Sequence, residues 1–152
     1  MTDLLQILAA GIGTVAFGAL FGVPSKYYPY CGLIGASGWA VYVFLRMRTG
    51  FWSEAVVVFL ATVLVILMSR FFAVRERCPV TIFLICGILP LVPGAGIYWT
   101  CYYLVTGQLG EASTRGFSAL KAAVAIVLGI VFVFEIPQRF FKGKAVRKND
   151  KL

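Results

Sequence analysis

Histidine is absent from this sequence, and only 6 of its 152 residues are acidic. A Ser/His/Asp triad and a His-based proton relay are therefore excluded, and no paired carboxylates offer acid–base work. Nor do the four cysteines, Cys31, Cys78, Cys86 and Cys101, form a CxxC pair. Without an imidazole to complete a Cys/His set, no metal site or cofactor is expected, and the thiols read as free and buried. Apart from Ser/Lys chemistry, which the sequence leaves open, an intramembrane enzyme has almost nothing to work with.

Charge is also scarce, at 13% of residues, while 61% are hydrophobic and the mean hydropathy is +0.91. A soluble domain needs a polar shell around its core. Here uncharged runs of helix-spanning length follow one another across short polar gaps, so the chain is an integral membrane protein in contact with the lipid bilayer. The net charge of +8 would suit nucleic acid if the basic residues covered a folded face. They sit instead between apolar runs and in the tail, which fits the positive-inside rule and anionic lipid headgroups, so no nucleic-acid partner is expected.

The runs predict an all-α polytopic fold of about five transmembrane helices, since lipid tolerates only helices or closed barrels. The first covers residues 4–23, up to the turn at Pro24, Ser25 and Lys26. It is too long for a signal-peptide core and lacks an A-x-A exit, so it is expected to be retained. The second, residues 29–45, stops at Arg46 and Arg48. The third starts near Trp52 and runs to Met68, ahead of Arg70, Arg75 and Arg77. The fourth, residues 80–106, exceeds one crossing and is broken over residues 90–96. The fifth covers residues 117–134, with Lys121 snorkelling from its first turns. Residues 1–138 form the membrane domain, and 139–152 a basic tail. Five crossings put ten basic residues on the face of the C-terminus and four on the other, which predicts a cytoplasmic C-terminus and an outside N-terminus.

Rows of small residues indicate which helices pack closely. Gly11, Gly18 and Gly22 share one face of the first helix, Gly32, Ala36 and Ala40 recur on the second, and Ser118, Ala122, Ala125 and Gly129 on the fifth. Oligomerisation through Gly18, Gly22, Gly32, Ala36 and Ala40 is expected. The third run has mostly large aliphatics and is expected to face lipid.

Among acids near membrane depth, Glu54 is the candidate proton carrier, because it sits inside the first turn of its helix; Glu111 and Glu135 read as solvated interfacial charges. The break in the fourth run is the most informative stretch. Pro90 cannot donate to the carbonyl of Cys86, and Pro93 cannot donate to that of Leu89. Gly94, Ala95 and Gly96 let the chain turn before a half-helix starts near Ile97. Freed carbonyls beside a helix N-terminus can hold an ammonium and a carboxylate together, as broken helices of transporters do. The candidate substrate-binding set is thus Cys86, Leu89, Pro90, Pro93, Gly94, Ala95 and Gly96. The competing reading is a structural proline kink.

The run Ile88-Leu89-Pro90-Leu91-Val92-Pro93-Gly94-Ala95-Gly96-Ile97-Tyr98 resembles the Pro-x-x-Pro-Gly signature of the threonine/serine exporter family, in the short form that corresponds to its C-terminal membrane half. Phe21-Gly22-Val23-Pro24, followed by Tyr30-Cys31-Gly32-Leu33-Ile34-Gly35-Ala36-Ser37-Gly38, is similar to that family's turn into a Gly-rich second helix. The resemblance implies the small subunit of a split exporter in the bacterial inner membrane. It further implies a larger membrane partner, proton-driven export, and threonine, serine or small dicarboxylates as substrates. A non-transporting assembly or scaffold subunit is the alternative. Some relatives carry a histidine near the second helix; this chain does not, so a relay through it does not transfer.

Overall fold

The computed structural model of the chain describes residues 2–48 and 53–136. Among them six α-helices follow in order: α1 (Thr2–Leu20), α2 (Tyr28–Arg48), α3 (Glu54–Glu76), α4 (Val80–Ile88), α5 (Gly94–Val105) and α6 (Leu109–Glu135). Short 3-10 turns, Ser25–Tyr27 and Leu89–Leu91, precede α2 and follow α4. The expected tail, residues 139–152, lies outside the described residues.

The helix ends follow from local chemistry. Gly22, at φ 71°, closes α1: its N–H donates to the carbonyl of Ala19 at 3.1 Å, and that of Val23 to Gly18 at 2.9 Å. This paired closure needs a left-handed residue, which glycine supplies without a Cβ clash, and Pro24 prevents the helix from resuming. So Gly22 serves a turn rather than a packing row.

Three helices, α1, α3 and α6, are long and apolar enough to cross a membrane, and α4 with α5, bent by 48°, makes a fourth if counted as one broken span. The expected count of five is corrected to about four. The difference is the second run. At 21 residues α2 is about 31 Å long, enough to cross, but Gly32, Gly35, Ser37, Gly38, Trp39 and Tyr42 make it less apolar than its neighbours. It lies against α1, α3 and α4, with Cys31 and Ile34 fully buried.

The expectation that the third helix faces lipid is overturned. In its most apolar stretch α3 has 44% of its residues buried, against 33% in α6 and 11% in α1. The reason is that the holes lie on its neighbours. Gly38 of α2 and Gly87 of α4 face Val65, and Gly129 of α6 faces Thr62, where an added Cβ would lie 2.9 Å from Thr62 Cγ2. Stiff β-branched side chains of α3 fill those gaps, so a helix poor in small residues becomes the centre of the bundle.

The rows expected to join copies of the chain are largely used within it. A Cβ on Gly11 would lie 3.3 Å from both Ala36 Cβ and the carbonyl oxygen of Gly32, and one on Gly32 3.0 Å from Val15 Cγ2. Gly18 is buried beside the sulfurs of Cys31 and Cys86. These contacts hold α1 to α2 and leave self-association through them without support; Ala40 is half-buried on α2. The α6 row does pack inward, with Ala122, Ala125 and Gly129 buried. Of the thiols expected to be buried, only Cys31 and Cys86 are; Cys78 is half-buried and Cys101 exposed.

Arg70 was expected beyond the third span, yet α3 continues two turns past Met68 and carries it inward. It is buried, and its Nη1 donates to the carbonyl of Val133. Nearby, Tyr30 donates its hydroxyl to Glu76 Oε1 at 2.9 Å, and Lys26 lies 4.6 Å from the ring of Tyr27. The basic residues of α3 and of the α1–α2 turn therefore share one end of the bundle with the C-terminal end of α6.

Candidate functional site

The break after α4 is built by its prolines. Pro90 has no N–H to continue the helix, and the chain tightens until the N–H of Val92 donates to Leu89 at 3.2 Å. Leu89's carbonyl is thus engaged rather than freed. At Pro93, with φ −76° and ψ 53°, the backbone makes an inverse γ-turn, in which Gly94 donates to Val92 at 2.7 Å. Helix α5 then begins at Gly94, three residues before the expected start near Ile97, and Ile97 makes the first helical bond back to Pro93 at 3.1 Å. The N–H groups of Ala95 and Gly96 belong to the open first turn of α5.

This break forms one wall of a cavity of about 550 Å³, within the size range of small-molecule sites. Pro90, Pro93, Gly94, Ala95 and Gly96 line it, together with Asp3 and Gln6 of α1. Across from them stand Trp39, Tyr42 and Arg46 of α2, Glu54 of α3 and Ser118 of α6. Ser118 donates its hydroxyl to Glu54 Oε2 at 2.9 Å, and Arg46 Nη1 donates to the Tyr42 hydroxyl at 2.7 Å. The indole of Trp39 stacks on the Tyr42 ring, with centroids 4.9 Å apart and planes at 29°. Two carboxylates and one guanidinium therefore face the same space, beside a helix N-terminus whose partial positive charge favours an anion.

Six of the sequence-predicted residues meet here: Pro90, Pro93, Gly94, Ala95, Gly96 and Glu54. Cys86 does not. It is buried in the core, and its sulfur would lie 3.8 Å from a Cβ on Gly18. Leu89 is half-buried and outside the lining. Glu111 and Glu135 are exposed and also outside it. Asp3, Gln6, Trp39, Tyr42 and Arg46 were missed, although Trp39, Tyr42 and Arg46 recur at the three- and four-residue steps that share one helix face. Ser118 was read only as a packing residue.

The family model described as Threonine/Serine exporter, ThrE, matches residues 6–136, well over half of the chain. The chain belongs to the threonine/serine exporter family. No solved structure matches it. The matched region begins at Gln6 and runs through the end of α6, so it takes in every wall of the cavity and leaves only Asp3 outside. The family is one of transporters, and the chain is a multi-pass membrane protein.

Proposed function

We propose that this exporter carries threonine and serine outward through the cavity beside residues 90–96, exchanging them for protons and working with a larger membrane partner. The observation that supports this is the meeting of opposite charges at a helix break. Asp3 and Glu54 suit the ammonium of an amino acid. Arg46 and the amides of Ala95 and Gly96 suit its carboxylate, and Gln6 offers a hydrogen bond to a side-chain hydroxyl. Small dicarboxylates fit less well, because they would face two acids and one arginine. A scaffold role gives such a polar cavity no use.

Glu54 couples the proton in this reading. Ionised, it holds the ammonium; protonated, it loses that attraction and releases the solute, so proton binding and substrate binding exclude one another at one group. The membrane is the bacterial inner membrane, with the end bearing Lys26, Arg75 and Arg77 facing the cytoplasm. The basic residues of the tail, such as Arg139, Lys142 and Lys144, support the same side. The test is efflux of labelled threonine or serine from preloaded cells that co-express the larger subunit, at equal membrane abundance. Glu54→Gln should abolish proton-driven efflux, and undiminished efflux from this variant would overturn the coupling role.

A further inference from the structure

Glu54 is the first residue of α3, where an acid is ordinarily drawn to the open N–H groups of its own helix start. Ser118 of α6, 64 residues on in the chain, holds it across the helix seam instead: the serine hydroxyl donates to Oε2 at 2.9 Å. No other described residue donates to this carboxylate, and both side chains line the cavity.

The two partners are not equally fixed. Glu54 is a long side chain exposed at a helix end. Ser118 is short and half-buried, next to the buried Ala119, against which Gly96 of the break packs: a Cβ on Gly96 would lie 3.1 Å from Ala119 Cβ. Further along the same seam, Gly129 takes up the side chain of Thr62. The serine is therefore the anchored member, and the carboxylate is the one it holds.

One turn of α6 thus touches both halves of the site. Ala119 meets Gly96 and Ser118 meets Glu54, so a single helix sets the spacing between the open N–H groups of α5 and the carboxylate. Those groups serve the two ends of an amino acid in the transport reading, and a charged pair binds best to partners whose separation is fixed beforehand. A serine hydroxyl also both donates and accepts. It can give its hydrogen to the ionised carboxylate and take one from the protonated carboxyl, so Glu54 stays in place through the protonation step.

We infer that Ser118 is a positioning residue of the exporter: its bond to Glu54 Oε2 holds the carboxylate in register with the start of α5 and leaves Oε1 for the ammonium of the solute. This rests on the transport reading above and adds to it the side chain that fixes the proton-coupling group.

The test is equilibrium binding of labelled L-threonine to the purified exporter assembled with its larger subunit. Ser118→Thr keeps the hydroxyl and Ser118→Val replaces it with a methyl in a side chain of the same shape, so the pair separates hydrogen bonding from packing. Ser118→Val should weaken binding about three- to tenfold, the net worth of one hydrogen bond, while Ser118→Thr stays within about twofold of wild type. In the Glu54→Ala background, Ser118→Val should cost nothing further, because the group it positions is gone. In the efflux assay Ser118→Val should raise the KM for threonine and change kcat less. Equal binding by Ser118→Val and Ser118→Thr overturns the inference. A loss in Ser118→Val that persists undiminished in the Glu54→Ala background overturns it too, since the serine then acts without the carboxylate. Both results leave the transport reading intact. A wild-type exporter that neither binds nor moves threonine or serine removes the transport reading, and this inference with it.

Discussion

Arg70 of α3 donates through Nη1 to the main-chain carbonyl of Val133, two residues before α6 ends, and its guanidinium lies 5.6 Å from the centroid of the Phe134 ring. The last turn of α6 has no basic residue of its own, so α3 supplies the positive charge that the negative end of the helix dipole favours. A buried arginine bonded to a carbonyl end ties the two central helices together at the basic end of the bundle.

Arg70→Met should therefore lower stability by about 1.5–3 kcal/mol, the usual worth of a hydrogen bond from a charged group, and Arg70→Lys should recover part of it. Thermal unfolding of detergent-solubilised protein, followed by near-UV circular dichroism, measures this. A melting temperature in Arg70→Met equal to wild type would show that the contact contributes nothing to the bundle.

Two glycines in the α1–α2 pair should respond in opposite directions. A Cβ on Gly35 would overlap the side chain of Thr14, whereas one on Gly13 meets nothing within 4 Å. Gly35→Ala should cost about 1–3 kcal/mol through overpacking, and Gly13→Ala should gain about 0.5–1 kcal/mol because it removes backbone freedom from a helix interior. Melting temperatures of the two variants, compared with wild type, give the signs directly.

At the break, Gly96 and Gly94 separate in the same way. A Cβ on Gly96 would lie 3.1 Å from Ala119 Cβ, while one on Gly94 has open space around it. Gly96→Val should push α5 off α6 and lower efflux by about a hundredfold, the scale of loss when a binding wall moves by about 1 Å. Gly94→Ala should leave the fold intact and reduce efflux only modestly. Equal losses in the two variants would show that the α5–α6 contact does not position the cavity wall.

Cys78 sits in the turn between α3 and α4, where burial pushes its thiol pKa above the ordinary value. The thiolate is the species that reacts, so at neutral pH less of it is present than for an ordinary thiol. Maleimide labelling of a protein retaining Cys78 alone should still be rising at alkaline pH where glutathione labelling has levelled off. A profile that overlays glutathione's would mean that burial does not disfavour the thiolate.

The part of this molecule readable along the chain was the part governed by neighbouring residues. Pro90, Pro93 and Gly94 announce a break because a missing N–H and an extra degree of backbone freedom act locally. The Glu54 end of α3 was readable for the same reason. The rest of the cavity was not, since Asp3, Arg46 and Ser118 come from three helices whose rotation is set only by packing. The role of α3 was inverted because small residues were sought on the helix itself, whereas Gly38, Gly87 and Gly129 provide its room from outside. Arg70 marked the end of a span in composition, but a carbonyl at the end of α6 gave its charge a buried partner.

Helix α5 has no buried residue and packs chiefly on α6. It is held by the turns at its two ends and by close approaches to α6, Gly96 on Ala119 and Thr100 on Gly116. Local opening free energy falls with the surface held, so residues 94–105 are expected to part at lower cost than the α2–α3–α4 body. The cavity wall formed by Gly94, Ala95 and Gly96 therefore belongs to the helix that has no buried residue.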